Sequence, residues 1–589
     1  MTSMRGTRPI PSVRAVRALP ALVAAAALSA ASACGGGGAS DAVGTTPPPG
    51  GSVTLTAGQS VPAANGQQLT LGGVSGGGEY LLVVSDTLAT GSGKASFAVA
   101  ASGTAAPGTV SAPATDRIAS PDAADAAAAA FAPRVDLGYG VRLNERARTR
   151  LRPGFAVARS TLPAAALSPM RASRSLSAAA IPAVGDLVNY NVGQDACDTI
   201  VSHPTRVVAV GSAAIVAVDT LNPPGGFSSA DYQRIAANFD TLVYPLDVTN
   251  FGAPTDIDGN GHVVLLFTRA VNELTPANSQ SFVGGFFYSR DLFPRTGAPN
   301  QACAGSNVAE MFYLLAPDPS GAVHGNVHTA GFVDSLTTGI VAHEFQHLIN
   351  AGRRLYVNGA SDFEAVWLSE GLSHVAEELL FYRQGGLAPR QNIDIATLRA
   401  TNAARNAYNT DQGSNAGRYR QYLLAPAANS PVRNDDSLGT RGATWSFLRY
   451  ATDRKAAQGA TEASVLQALV NSKASGVPNL MAVYGANLGA QLRDWSISNY
   501  TDDAVPNVAA ELLQPSWNWH SIYPALGSGG GSYPLQVSPL PATGASGTVI
   551  PGGSAFYRFA VAPNGTATIT VTGGTATTGS AIGTVVRLR

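Results

Sequence analysis

Two histidines and a glutamate in the segment VAHEFQHLIN have types and a spacing that could do metal chemistry. His343 and His347 are four residues apart, so on a helix both rings project from one face and can bind one ion. Zn²⁺ accepts imidazole nitrogen in tetrahedral geometry, and a catalytic site leaves one position for water. Glu344 can reach that water and accept its proton as a general base. The segment therefore predicts a metal-dependent hydrolase.

A third protein ligand is needed, and the downstream sequence leaves it open between three acids. An extended motif with a third His would place it at position 353, which is Arg353. The other common solution is a carboxylate from a second helix. The acids near the required interval are Asp362, Glu364 and Glu370.

Glu370 lies in WLSEGLSHVAEEL, and this segment carries a resemblance to a known family. Together with HEFQHLIN it is similar to the two zinc motifs of the hyicolysin-like gluzincin metallopeptidases. TDIDGNGHVVLLFT and AEMFYL resemble the same group, and the likeness covers about residues 184–525. The resemblance implies Glu370 as the third zinc ligand. It also implies an α+β, zincin-like core, with a mixed sheet, the HExxH helix and a helical C-terminal lobe.

Further candidates for the reaction lie on the same helix and downstream of it. His374 and Glu377 follow Glu370 at helical spacing, which indicates either a solvated face or a role in the site. In that role His374 would orient a metal-bound His or donate to the oxyanion. A Tyr donates to the oxyanion in one gluzincin branch, but Gly439 occupies the comparable position in GTRGATWSFLRY. The remaining aromatic candidates, each better explained by packing, are Tyr419, Tyr422 and Tyr450.

The loop TDIDGNG has the oxygen-rich beginning of an EF-hand. An EF-hand carries Glu at its twelfth position, and here that residue is Phe267. A structural Ca²⁺ site at Asp256, Asp258 and Asn260 therefore competes with a tight turn between strands. Asp, Asn and Gly favour such turns, so the turn is the stronger prediction.

The N-terminal segment has the order of an export signal. Four arginines precede the apolar run LPALVAAAALSA, which is too short to span a bilayer. The segment ASAC at the end of this run predicts cleavage before Cys34. Residues 1–33 would then be a signal peptide, and Cys34 would be lipidated as in a lipoprotein. We therefore expect an exported protein, either outside the cell or held at the envelope by a lipid anchor. In an oxidising compartment Cys197 and Cys303 would then form a disulfide.

The composition divides the rest of the chain into modules. The formal net charge is zero and no basic stripe is present, which excludes a nucleic-acid partner. Short alternating runs at both ends predict small β-sandwich modules flanking the core. The predicted segments are a linker (34–50), a β module (51–103), an Ala/Pro/Arg-rich tether or propeptide (104–183), the metallopeptidase core (184–525), and a Gly-rich linker with a second β module (526–589).

These patterns favour a secreted or surface-anchored zinc endopeptidase that acts on proteins or peptides. An extended peptide can pair with an exposed strand edge, and the strand AEMFYLLAP is our candidate for that edge. One alternative keeps the metal but makes the protein an exopeptidase or another zinc hydrolase. The other is a surface adhesin or scaffold whose zinc core no longer catalyses.

Overall fold

The computed structural model describes residues 52–72, 74–88, 93–108, 134–135, 138–154, 181–195, 197–297, 302–526, 532–573 and 581–589. The expected signal peptide, Cys34 and the 34–50 linker lie outside these residues, as does most of the 104–183 segment. The described part has mixed α+β architecture and belongs to one compact unit. None of its helices combines the length and apolar composition needed to cross a bilayer.

The strands are numbered in chain order. They are β1 (Ser52–Val53), β2 (Ser60–Ala63), β3 (Gln68–Leu71), β4 (Gly78–Asp86), β5 (Ala95–Ser102), β6 (Thr104–Ala105), β7 (Arg134–Val135), β8 (Leu187–Asn191), β9 (Ser202–Val210), β10 (Ala214–Asp219), β11 (Val263–Thr268), β12 (Ser281–Phe282), β13 (Gly285–Phe287), β14 (Met311–Leu315), β15 (Ser538–Pro539), β16 (Ala545–Val549), β17 (Ser554–Val561), β18 (Ala567–Gly573) and β19 (Ala581–Arg587).

The helices are numbered in the same way. They are α1 (Gly138–Leu151), α2 (Ser229–Asn238), α3 (Tyr244–Phe251), α4 (Arg269–Asn272), α5 (Ala330–Gly352), α6 (Val366–Gly385), α7 (Ile395–Ala400), α8 (Asn402–Ala407), α9 (Gly413–Leu423), α10 (Leu438–Ala457), α11 (Glu462–Val470), α12 (Val477–Tyr484), α13 (Leu488–Thr501) and α14 (Trp519–Ala525).

A mixed six-stranded sheet supports the site, in the order β13-β14-β11-β10-β9-β8. β10, β11 and β14 run parallel, and β13 is an antiparallel edge strand. Every residue of β11 (VVLLFT) and β14 (MFYLL) is buried. Continuous apolar runs of this kind are typical of strands covered on both faces.

The sheet corrects our prediction of the substrate-binding strand. β14, the strand of AEMFYLLAP, pairs with β11 on one side and with β13 on the other. Both of its edges are therefore occupied, so strand addition at β14 is impossible and that prediction was wrong. The available edge near the HExxH helix belongs to β13, whose three residues GFF are too short to give a strand pattern in the sequence.

The two helices that carry the zinc motifs have identifiable ends. α5 begins after Thr329, whose side chain accepts a hydrogen bond from the Phe332 amide, and it contains HEFQH. A π-helical turn, Arg353–Asn358, extends it and stops at Gly359, where φ is 67°. α6 carries WLSEGLSHVAEEL and ends before Gly386, also at φ 67°. Both glycines adopt the left-handed conformation that commonly ends a helix.

The two terminal β segments form one sandwich, which corrects the prediction of separate modules. Its sheets have the orders β1-β3-β18-β5-β16 and β15-β17-β4-β19-β2, so strands from both ends of the chain alternate. On β4, Leu82 and Val84 face the sandwich interior, whereas Leu81 and Val83 join the main core. Alternation within each segment reveals the strands, but it carries no information about which distant strand completes the sheet.

Two predictions that concern the core have clear outcomes. Cys197 and Cys303 form a disulfide that links residues 106 apart in sequence, as predicted. Helix α1 lies inside the segment predicted as a tether, and its Leu143, Ala147 and Leu151 are buried in the main core. Residues 138–151 are therefore a packed part of the core.

Replacement of Phe559 tests whether the two terminal segments share one sandwich core. Its ring is fully buried, and it stacks on Tyr80 with 5.4 Å between ring centroids. We expect Phe559→Ala to lower the free energy of unfolding by about 3–5 kcal/mol. It should also speed proteolysis within residues 52–105, whereas exposed Ser546→Ala should do neither. If residues 52–105 were as well protected from proteolysis in Phe559→Ala as in the unchanged protein, the shared core would be contradicted.

Candidate active site

Three side chains from α5 and α6 converge in the way one metal ion requires. The Nε2 atoms of His343 and His347 are 3.2 Å apart. Glu370 Oε1 lies 3.2 Å from His347 Nε2, and Glu370 Oε2 lies 3.7 Å from His343 Nε2. Tetrahedral ligands at zinc-binding distance stand about 3.3 Å from one another. The three donors therefore fit Zn²⁺ in spacing and in chemical type, and they form a candidate metal group.

The other two candidate acids form ion pairs away from the two histidines. Buried Glu364 pairs with Arg354 at 3.1 Å and accepts the Gly476 amide at 2.7 Å. Asp362 pairs with Arg148 at 2.9 Å. Of the three acids left open by the sequence, Glu370 is the one that the structure brings to both histidines.

Glu377 links the metal group to a buried charge network. Its Oε1 accepts hydrogen bonds from His343 Nδ1 at 2.7 Å and from His374 Nδ1 at 3.1 Å. Its Oε2 lies 3.2 Å from Arg418 Nη1. Burial alone would raise the pKa of Glu377, but Arg418 and the two histidines outweigh it and hold that pKa well below the ordinary value. A carboxylate bound to Nδ1 fixes the ring so that Nε2 is free for metal.

His374 is fully buried beside this network. Burial, with Arg418 nearby, lowers the pKa of His374 to about 3, so the ring is neutral. Its Nε2 lies 3.8 Å from Glu370 Oε2. Because His374 shares Glu377 with His343, its position favours an orienting role over a solvated face.

Glu344 lies at the edge of β13. Its side chain is buried, and its Oε2 accepts the Phe287 amide hydrogen at 2.8 Å. Burial raises the pKa of Glu344, although His343 and His347 oppose that shift. A carboxyl group whose pKa moves toward neutrality is better suited to accept a proton and return it.

Arg441 was not predicted from the sequence, although it lies in GTRGATWSFLRY. Arg441 Nη1 lies 2.6 Å from Glu370 Oε2, and Arg441 Nε donates to Asp436 at 2.7 Å. Burial would raise the pKa of Glu370, but Arg441 and His347 reverse this and hold it well below normal. The only signal for Arg441 in the sequence is its helical spacing on α10, and no sequence pattern shows which helix α10 packs against.

The aromatic candidates from the sequence are all fully buried among other rings. They are Tyr419, Tyr422 and Tyr450.

Two glycines allow the three helices α6, α9 and α10 to approach closely. A Cβ atom at Gly371 would lie 2.4 Å from the Thr444 side chain, and one at Gly442 would lie 2.2 Å from the Arg418 backbone. These contacts leave no room for any side chain. Gly371 and Gly442 therefore bring the two arginines within reach of Glu370 and Glu377.

The predicted calcium loop is a tight turn whose side-chain oxygens accept hydrogen bonds within the loop. Asp256 Oδ1 accepts the Gly261 amide at 3.0 Å, and Asn260 Oδ1 accepts the His262 amide at 2.6 Å. Asp256, Asp258 and Glu310 bring carboxylate oxygens close enough together to hold a cation. Burial, followed by the charge of Asp258, raises the pKa of Glu310 to about 8. Calcium binding here stays a prediction.

Comparison with known proteins gives one informative match. The chain is 30% identical over 147 residues to the neutral metalloprotease ShpI of Staphylococcus hyicus. The match covers 25% of this chain and 30% of the relative, so the chain matches about a third of that protein's length. No protein-family profile matches the chain. The similarity is to a metalloprotease, in agreement with a metal-ligand group on α5 and α6.

Glu377→Gln tests the orienting role of the carboxylate. Gln keeps the size but loses the charge that binds His343 Nδ1, so we expect zinc affinity to fall about 10- to 100-fold. Competition with a fluorescent chelator measures it. The control Glu273→Gln changes an exposed acid that pairs with Arg269, and it should leave zinc affinity unchanged. Equal zinc affinity in both variants would exclude the role.

Gly442→Ala tests the close helix packing. The added methyl group collides with the Arg418 backbone, so α9 and α10 must separate. We expect a lower midpoint of thermal unfolding and weaker zinc binding. Gly417→Ala on α9 is the matched control, since nothing lies within 4 Å of its Cβ position. The control should be neutral or stabilising by about 0.5–1 kcal/mol, and equal effects in both variants would refute the packing argument.

Proposed function

We propose that this protein is an exported zinc endopeptidase that hydrolyses internal peptide bonds of proteins or peptides. The observation that carries the proposal is the convergence of His343, His347 and Glu370 within 3.2–3.7 Å, with Glu344 beside them. The partial similarity to a neutral metalloprotease supports the same class of activity.

The residues of the site have distinct roles in this proposal. His343, His347 and Glu370 hold the ion, and bound Zn²⁺ would lower the pKa of a water molecule toward about 7. Glu344 takes the proton of the attacking water and returns it to the leaving amine. Arg441 keeps Glu370 ionised and oriented, since it lies 2.6 Å from that carboxylate. Glu377 and His374 hold His343 in the orientation that leaves Nε2 available.

We assign substrate backbone binding to the edge of β13. Phe287 lies opposite Phe312 of β14, and its amide and carbonyl groups point away from that strand. These groups now contact Glu344 and Asn144. An extended peptide could bind beside Phe287 by pairing with its amide in place of Glu344, while Asn144 keeps its hydrogen bond to the Phe287 carbonyl. The interior position of β14 leaves β13 as the strand that can serve this purpose near Glu344.

Export is part of the proposal. The buried Cys197–Cys303 disulfide fits an oxidising compartment. We keep the signal peptide over 1–33 and lipidation at Cys34 as proposals, with secretion into the medium as the alternative to an envelope lipoprotein.

Chelation and Glu344→Gln together test the activity. We expect the purified protein to cleave casein into internal fragments, to lose that activity with a chelator, and to regain it with zinc. Glu344→Gln should keep its zinc while cleavage falls about 10²- to 10⁴-fold, because the general base is removed.

Each alternative predicts a different result in the same assay. Release of single amino acids would indicate an exopeptidase. A wild-type protein that binds zinc but cleaves no peptide or protein would favour the adhesin or scaffold. Full activity of Glu344→Gln would refute the assigned base.

A further inference from the structure

Helix α1 forms one side of the cavity that contains the catalytic groups. Val141, Asn144 and Glu145 of α1 face a space that is lined on the other side by Glu344 and His347. The cavity has about 600 Å³ of empty space, part of which is open solvent. This helix precedes the region that the sequence marks as the metallopeptidase core, so its place beside the site is unexpected.

Asn144 fixes α1 to the catalytic edge of the sheet. Its Nδ2 donates to the Phe287 carbonyl at 2.9 Å. Its Oδ1 accepts from the Ser289 amide at 2.9 Å and from the Ser289 hydroxyl at 2.6 Å. Phe287 also donates to Glu344, so one residue joins α1 to the general base.

The remaining contacts of α1 are those of a permanent element. Leu143, Ala147 and Leu151 are 1–2% exposed and belong to the main core. Arg148 donates to Asp362 at 2.9 Å and to the Phe363 carbonyl at 3.1 Å. An inhibitory segment would fill the space beside the metal ligands, whereas α1 leaves that space open and borders it.

The lining indicates the chemistry of the side chain that fits. Its apolar part includes Val141, Phe287, Ala351, Phe363 and Val366. The charged residues that line it within the described chain are all acidic, and they are Glu145, Glu344, Glu364 and Glu370. An apolar side chain would bury its surface there, whereas three of these carboxyl groups are already paired, Glu145 with Arg148, Glu364 with Arg354 and Glu370 with Arg441. The cavity therefore favours apolar residues.

We propose that α1 is a permanent wall of the substrate pocket, and that Val141 limits the size of the apolar side chain next to the scissile bond. The inference rests on the proposed peptidase function. It assigns a specificity role to a segment that would otherwise be interpreted as a tether or propeptide. Val141 is half-buried and faces the cavity, so a change in its volume changes the room available.

Val141→Phe and Val141→Ala test this role in the full-length zinc protein. Peptides that differ only in one residue beside the scissile bond (Ala, Leu or Phe) are compared by kcat/KM. We expect Val141→Phe to lower the Leu-to-Ala ratio about 10-fold, and Val141→Ala to raise the Phe-to-Leu ratio. Thr149→Phe adds similar bulk to the exposed face of α1 and should leave both ratios unchanged.

Binding separates this inference from the activity itself. The same peptides are titrated into Glu344→Gln protein, with and without each Val141 substitution, and zinc content is measured in every sample. Shifted binding ratios, together with no cleavage of the same peptides by protein that keeps Glu344, would support the pocket and defeat the proposed activity. Unchanged ratios in both Val141 variants, with zinc retained, would overturn the inference. So would peptide mass mapping that finds residues 138–154 missing from the active protein.

Discussion

The site depends on keeping two buried carboxylates charged. Glu370 and Glu377 are almost completely excluded from solvent, where an unpaired charge would be costly or would take up a proton. Arg441 lies beside the first and Arg418 beside the second, while His343 contacts both acids. A protonated Glu370 would be a poor ligand, and a protonated Glu377 would no longer orient His343. The arrangement of α6, α9 and α10 can therefore be understood as the means of delivering two guanidinium groups to two acids.

The sequence predicts the part of this site that depends on local periodicity. His343, Glu344 and His347 are close along one helix, and WLSEGLSHVAEEL identifies Glu370 through its resemblance to a gluzincin motif. Arg441 lies on a helix far along the chain, and its relation to Glu370 arises from the contact of Gly371 with Thr444. Such a contact is a property of packed helices, and no spacing in the sequence encodes it.

The errors in strand assignment have a similar origin. The apolar run of β14 predicts a buried strand correctly, but burial gives no information on whether a strand lies inside a sheet or at its edge. The edge strand β13 has three residues between glycine and a 3₁₀ turn, so it has no detectable alternation. Helix α1 lies in a segment rich in Ala, Pro and Arg, and its few apolar residues gave no sign that they reach the core.

The shared sandwich has a consequence for biogenesis. β4 pairs with β17 on one side and with β19 on the other, so a strand made early waits for partners made last. A polypeptide emerging from the ribosome, or from an export channel, carries β4 with one edge open until β17 has appeared and the other edge open until residue 587 has appeared. Exposed strand edges of that kind recruit other chains, and vectorial synthesis prolongs their exposure. The N-terminal sandwich strands therefore stay without their partners until the C-terminal strands have been made.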